Sequence, residues 1–201
     1  MRTTKNTSAV LTVLLIAALA ALGVGCGSSD SSKSDSASGN PTDRAFVAEM
    51  VPHHRAGVEM ADVATEEGTS RFVKTLAQSI SSTQKAEIGQ MERIDRRLAK
   101  GDVAKGKLGM SHAMKGMNMD AQALRGAKPF DARFISMMVP HHESAVEMAK
   151  IELDKGENPD LKKLARSIIA TQKREVSQMR AHKPGSSSGQ DMEGMHEGHS
   201  G

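Results

Sequence analysis

The chain has 201 residues, with 27 Lys and Arg against 24 Asp and Glu, 14 Met, one Cys, four Phe and neither Trp nor Tyr. A single cysteine excludes an intramolecular disulfide, and four Phe with no Trp or Tyr are too few for the stacking platforms of single-strand nucleic-acid binders. The formal charge of +3 falls to 25 basic against 24 acidic residues once Arg2 and Lys5 are set aside with an N-terminal signal, so no concentrated basic face for nucleic acid is expected.

Arg2 and Lys5 precede an apolar run from Ala9 to Leu22, and the small residues Gly23, Val24 and Gly25 then lead to Cys26. This is the layout of an export signal, too short for a comfortable membrane span. The stretch Leu22-Gly23-Val24-Gly25-Cys26 resembles a bacterial lipobox, although its leucine stands four residues before the cysteine, not three. The expectation is a signal peptide over 1–25 and lipidation of Cys26, which would anchor the protein to the outer face of the bacterial cell membrane. Residues 26–41, rich in Ser, Gly and Asp, read as a flexible tether.

The remainder is a duplication. Displacing the chain by 88 positions aligns Asp43–Ile94 with Asp131–His182 without a gap, and about 23 of the 52 pairs are identical. Each unit, 43–100 and 128–182, carries two helical patterns. In the first, Asp43 is a plausible N-cap, Phe46, Val47, Met50, His54, Gly57, Val58 and Ala61 recur at helical spacing, and the pattern fades near Gly68. In the second, Ser70 is a candidate cap ahead of a stripe from Val73 to Leu98; in unit two, Asn158-Pro159 starts the equivalent helix. Neither hairpin hides its apolar stripe alone, so the prediction is an all-α, ferritin-like four-helix bundle over 42–182.

The linker 101–127 carries Met110, His112, Met114, Met117 and Met119, and the tail 183–201 carries Met192, Met195, His196 and His199. Both segments read as disordered without a ligand. Methionine in such polar surroundings buries nothing, which favours a ligand role as a secondary metal-capture arm.

Within the bundle, His53 and His54 lie three and four residues beyond Met50 and project over the same turn, with Met60 returning to that side. His141, His142, Met138 and Met148 repeat the set. Pro52 and Pro140 stand directly before the histidines, at helix-interior positions where proline costs about 3 kcal/mol. Glu87 and Glu175 fall on the inward stripes of the second helices, with Gln84 and Gln172 at the edges, and an inward carboxylate needs a partner or a metal. These residues equally suit a buried hydrogen-bonded network that only fixes packing. Met50, Met60, Met91 and their copies, taken singly, read as core, while Glu59 and Glu147 turn to the opposite face.

Thioether sulfur selects Cu(I), whereas imidazole serves Cu(II), zinc and iron as well, so the mixed Met/His inventory points to copper before zinc or iron. The doubled Phe-x3-Met-x2-His-His and Val-Glu-Met-Ala motifs, with Gln-x2-Glu following, resemble the domain of unknown function family numbered 305, over roughly Pro41 to His182. That resemblance implies an exported ferritin-like bundle, with copper binding and tolerance attributed to some members. No di-iron Glu-x-x-His pair occurs in the helices, and Val146 stands where a zinc-protease histidine would be. The leading expectation is an extracytoplasmic metal-binding lipoprotein that sequesters or transfers copper, with a metallochaperone or transporter as partner. Competing readings are a small ferroxidase-like or cuprous-oxidase-like enzyme and a structural bundle that docks a protein.

Overall fold

The computed structural model describes residues 38–109 and 120–182. Four helices carry them: α1 (Pro41–Glu67), α2 (Arg71–Lys100), α3 (Phe130–Lys155) and α4 (Pro159–Ala181), with a short 3-10 helix at Ala121–Leu124. No strand occurs among the described residues, and the expected all-α bundle is what the duplicated hairpins build.

Local chemistry sets the helix ends. Ser70 caps α2 by accepting from Val73 N–H, and Asn158 caps α4 by accepting from Leu161 N–H, with Pro159 following. Gly68 and Gly156, equivalent in the two units, end α1 and α3. Asp43 is not the cap of α1. Asn40 is, accepting from Thr42 N–H and Asp43 N–H, while the Asp43 side chain accepts from Asn40 N–H in a reciprocal capping box. Pro41 supplies a first helical residue with φ already fixed, so α1 starts ahead of the repeated motif.

Order therefore begins earlier than a tether running to residue 41 implies. Asn158 Nδ2 donates to Ser38 O at 2.8 Å and Asn40 Nδ2 donates to Lys155 O at 2.7 Å, pinning this stretch to the α3–α4 turn. The ends of the linker are likewise packed rather than disordered, because its few apolar side chains find the core: Leu108 is 4% exposed and Leu124 fully buried. Arg44 also donates to Val103 O at 2.8 Å. Cys26, Met110, His112, Met114, Met117, Met119, Met192, Met195, His196 and His199 lie outside the described residues.

Helix α1 packs on α2, α3 packs on α4, and the hairpins meet mainly through α1 and α3. The apolar core is split in two. One cluster takes Phe46 and Met50 from α1, Met91 and Leu98 from α2, Met148 from α3 and Leu161 and Ile168 from α4. The other takes Met60 from α1, Val73 and Ile80 from α2, Phe134 and Met138 from α3 and Met179 from α4. Every helix contributes to both, and between them every helix is polar: His53 and His54, Gln84 and Glu87, His141 and His142, Gln172 and Glu175.

Candidate metal centre

The four histidines meet across the interface of α1 and α3. The rings of His53 and His141 stack at 3.9 Å between centroids, while His54 lies 6.2 Å from His53 and His142 lies 5.8 Å from His141. His54, His141 and His142 are fully buried and His53 is partly buried. The two pairs that the sequence repeats thus converge in one layer.

The hydrogen-bond partners fix which ring nitrogen carries the proton. His141 Nε2 is 2.9 Å from His53 O, and a carbonyl only accepts, so Nε2 donates. Ser144 donates its hydroxyl proton to His141 O at 2.9 Å, so its oxygen accepts from His53 Nε2 at 2.6 Å. The Glu87 carboxylate accepts from His54 Nε2 at 2.8 Å, and the Glu175 carboxylate accepts from His142 Nε2 at 2.7 Å. All four histidines thus spend Nε2 on a hydrogen bond, and all four Nδ1 atoms are buried without a partner.

Electrostatics keeps the Nδ1 lone pairs of His53 and His141 free of protons. Burial, aided by His54 and His142, pushes His53 down to about 3 against the opposing hydrogen bond with His141. Burial, followed by His53 and His142, likewise holds His141 well below the usual imidazole range. Neither Glu87 nor Glu175 forms an ion pair with a lysine or arginine among the described residues. A surface groove of about 490 Å³, lined by Arg71, Phe72, Thr75, Arg174 and Gln178, reaches Glu175 from outside.

The remaining expected site residues fall in defined places. Met50 and Met148 lie in one apolar cluster and Met60 and Met138 in the other, all at most 1% exposed, so they flank the layer as packed core. Glu59 and Glu147 are exposed, as their register implied. Among the described residues, no three His, Cys, Asp or Glu side chains already form a cage for an ion. The donor chemistry nonetheless fits one, because unpartnered imidazole lone pairs beside buried carboxylates are what a cation satisfies. Gly57 lies on the inward stripe that the spacing indicated, whereas Ser144 was not legible as part of this layer. The Ser144 equivalent is Ala56, so repeat matching passes over it, and its partner His53 is 91 residues distant.

A duplicated four-helix bundle with a histidine-centred polar layer is the class that fold and site define. The chain belongs to the family described as domain of unknown function (DUF305), whose model matches residues 43–183. Among solved structures it is similar to CopM in the Cu(I)-bound form, with 33% identity, a TM-score of 0.57 and coverage of 69% of this chain and 92% of that one. CopM in the Cu(II)-bound form matches with 33% identity, a TM-score of 0.58 and coverage of 69% and 93%. A DUF305 fragment from Deinococcus radiodurans matches with 27% identity, a TM-score of 0.58 and coverage of 70% and 94%. Among curated proteins, uncharacterized protein L153 of Acanthamoeba polyphaga mimivirus is 35% identical over 49 residues, 24% of this chain and 32% of that protein. The chain thus spans about a third of the length of the curated relative it matches.

Proposed function

We propose that this protein binds copper outside the cytoplasm and sequesters or hands it on, with His53, His54, His141 and His142 supplying the ligands through Nδ1. The observation that carries this reading is the set of four buried, unpartnered Nδ1 atoms in one layer. The likeness to CopM, solved with Cu(I) and with Cu(II), supports copper ahead of zinc or iron. Glu87 and Glu175 then act on the histidines rather than on the ion: a carboxylate that accepts from Nε2–H fixes the tautomer and raises the basicity of Nδ1. Met50, Met60, Met138 and Met148, buried in the two apolar clusters on either side of the layer, are the bundle's candidate thioethers for a Cu(I) set. Met110, His112, Met114, Met117, Met119, Met192, Met195, His196 and His199 serve as outer capture arms, and Cys26 carries the lipid that holds the protein at the membrane.

The test is a copper titration of the full chain in both oxidation states, beside a variant with His53, His54, His141 and His142 changed to Ala. A tight site present in the parent and lost in the folded variant supports the reading. Equal tight binding by both would assign copper to the Met/His arms alone. Circular dichroism establishes that the variant is folded, and His54→Gln with His142→Gln gives a gentler comparison.

A further inference from the structure

Gln84 and Gln172 occupy equivalent places on α2 and α4, each one turn before the glutamate that holds a histidine. Each is 2% exposed, and in neither does the amide nitrogen or the amide oxygen have a hydrogen-bond partner. The space left by the missing Cβ of Gly57 is shared by Gln84 Oε1 and by the His141 ring, whose Nε2 lies 3.0 Å from that point. The Gln84 amide therefore faces the histidine layer, and the duplication gives Gln172 the corresponding register on α4.

Burying an unpaired amide is costly, and this fold does so twice in equivalent positions. A bare cation does not remove the cost. It satisfies lone pairs, at Nδ1 or at an amide oxygen, but it offers nothing to an N–H donor. Turning either amide over exchanges its oxygen and nitrogen without removing the donor. The Nδ1 atoms cannot accept from it once they are engaged with the ion. An ion that arrives with an acceptor satisfies both the Nδ1 lone pairs and the amide N–H groups.

Resting on the copper reading above, we propose that the ion is held together with a non-protein ligand, a water or a small anion, that accepts hydrogen bonds from the Nε2–H groups of Gln84 and Gln172. These glutamines are positioning residues for that ligand. Imidazole nitrogen with an oxygen or halide ligand suits Cu(II) better than a soft thioether set does, so the layer favours the oxidised ion while the methionine arms favour Cu(I).

The experiment loads the full chain with Cu(II) and records pulsed EPR in water, in ¹⁷O-enriched water and with added bromide, subtracting the signal of the folded variant lacking the four histidines. Coupling to ¹⁷O identifies water as the ligand, bromide coupling identifies a halide, and either supports the proposal. The absence of any exchangeable ligand overturns it, while the absence of layer-bound copper overturns the proposed function itself. The second measurement pairs Gln84→Leu with Gln172→Leu. Removing unpaired amides from a core should leave the metal-free protein at least as stable, while Cu(II) affinity drops roughly 10- to 100-fold, the usual range for outer hydrogen-bond partners of a metal. A metal-free protein that loses stability with copper affinity unchanged assigns the glutamines to packing and overturns the proposal.

Discussion

Asp43 and Asp131, equivalent residues of the two units, each close the turn of the other hairpin. Asp131 accepts from Thr69 N–H at 2.8 Å and Ser70 N–H at 2.9 Å, and Asp43 accepts from Glu157 N–H at 3.1 Å and Asn158 N–H at 2.8 Å. Each carboxylate sits in the first turn of one helix and satisfies the free N–H groups that lead into another. Changing Asp131 to Ala strands two N–H groups and should cost about 1–3 kcal/mol of stability, read as a lower urea midpoint. An unchanged midpoint would mean that the clasp contributes nothing.

The same clasp carries an acid dependence. Burial pushes the Asp131 carboxyl up, but the hydrogen bonds from Thr69 and Ser70 together outweigh it and hold the group below 3.8. Because its folded pKa is depressed, its contribution is present above the unfolded value and is lost as pH falls through the folded one. Asp131→Asn should therefore flatten the acid limb of the stability curve relative to the parent, as measured by urea melts between pH 5 and pH 2. Parallel curves would remove Asp131 from the acid response.

Glu152 works in the opposite direction. Its equivalent in unit one is Ala64, and it is fully buried, with a side-chain hydrogen bond to Asp43 that only its protonated form can donate. Burial, then the neighbouring Asp43, pushes it up to about 9, with Lys162 opposing. Below about 4.5 folded and unfolded chains both hold the proton; between there and about 9 only the folded chain does. Stability thus falls as pH rises through that window and levels off above it. The Glu152→Gln variant should show a shallower decline between pH 5 and pH 9. Equal slopes in parent and variant would refute this assignment.

Ser144 links the two units by accepting from His53 Nε2–H while donating to His141 O, and its removal leaves His53 Nε2–H unpaired, since His141 O keeps its bond within the helix. The Ser144→Ala variant should lose about 1–3 kcal/mol, and ¹⁵N spectra should show His53 shifting from a pure Nε2–H form to a mixture. A His53 that stays wholly in the Nε2–H form would show that another group fixes it.

Gly57 makes room for the layer. A Cβ there would stand 2.6 Å from His141 Cε1 and crowd the Gln84 amide. Ala for Gly within a helix normally gains about 1 kcal/mol, so a net loss of about 1–3 kcal/mol for Gly57→Ala, the usual cost of overpacking, would be diagnostic. A gain in melting temperature would mean that His141 yields easily and that the stack is not fixed by packing.

Much of this fold was legible because its determinants are local. Ser70, Asn158-Pro159 and Gly68 act within a few residues, and the 88-residue repeat predicts the bundle because neither hairpin closes its own core. Asp43 was misread because Asn40 and Pro41 lie outside the repeat, where comparing units gives no guide. The inward His, Gln and Glu positions could be read from helical spacing, but which imidazole nitrogen remains free could not, since that depends on Ser144 and on a backbone carbonyl from the other unit. Glu152 went unnoticed for a related reason. It occupies a position that is alanine in unit one, and only the nearby Asp43 makes sense of it.

The two apolar clusters have a consequence for ancestry. Each draws on all four helices, and the 88-residue displacement carries Phe46 and Met50 of one cluster onto Phe134 and Met138 of the other. A single hairpin, translated before the gene doubled, would have owned half of each cluster and completed neither. Its folded form would have been a homodimer with an isologous interface, and its histidines would have met their counterparts from a second molecule. The tandem chain makes that encounter intramolecular and lets the halves differ, Ser144 against Ala56 and Gly57 against Ala145: a symmetric dimer must change both copies of a residue together, whereas a tandem chain can change one.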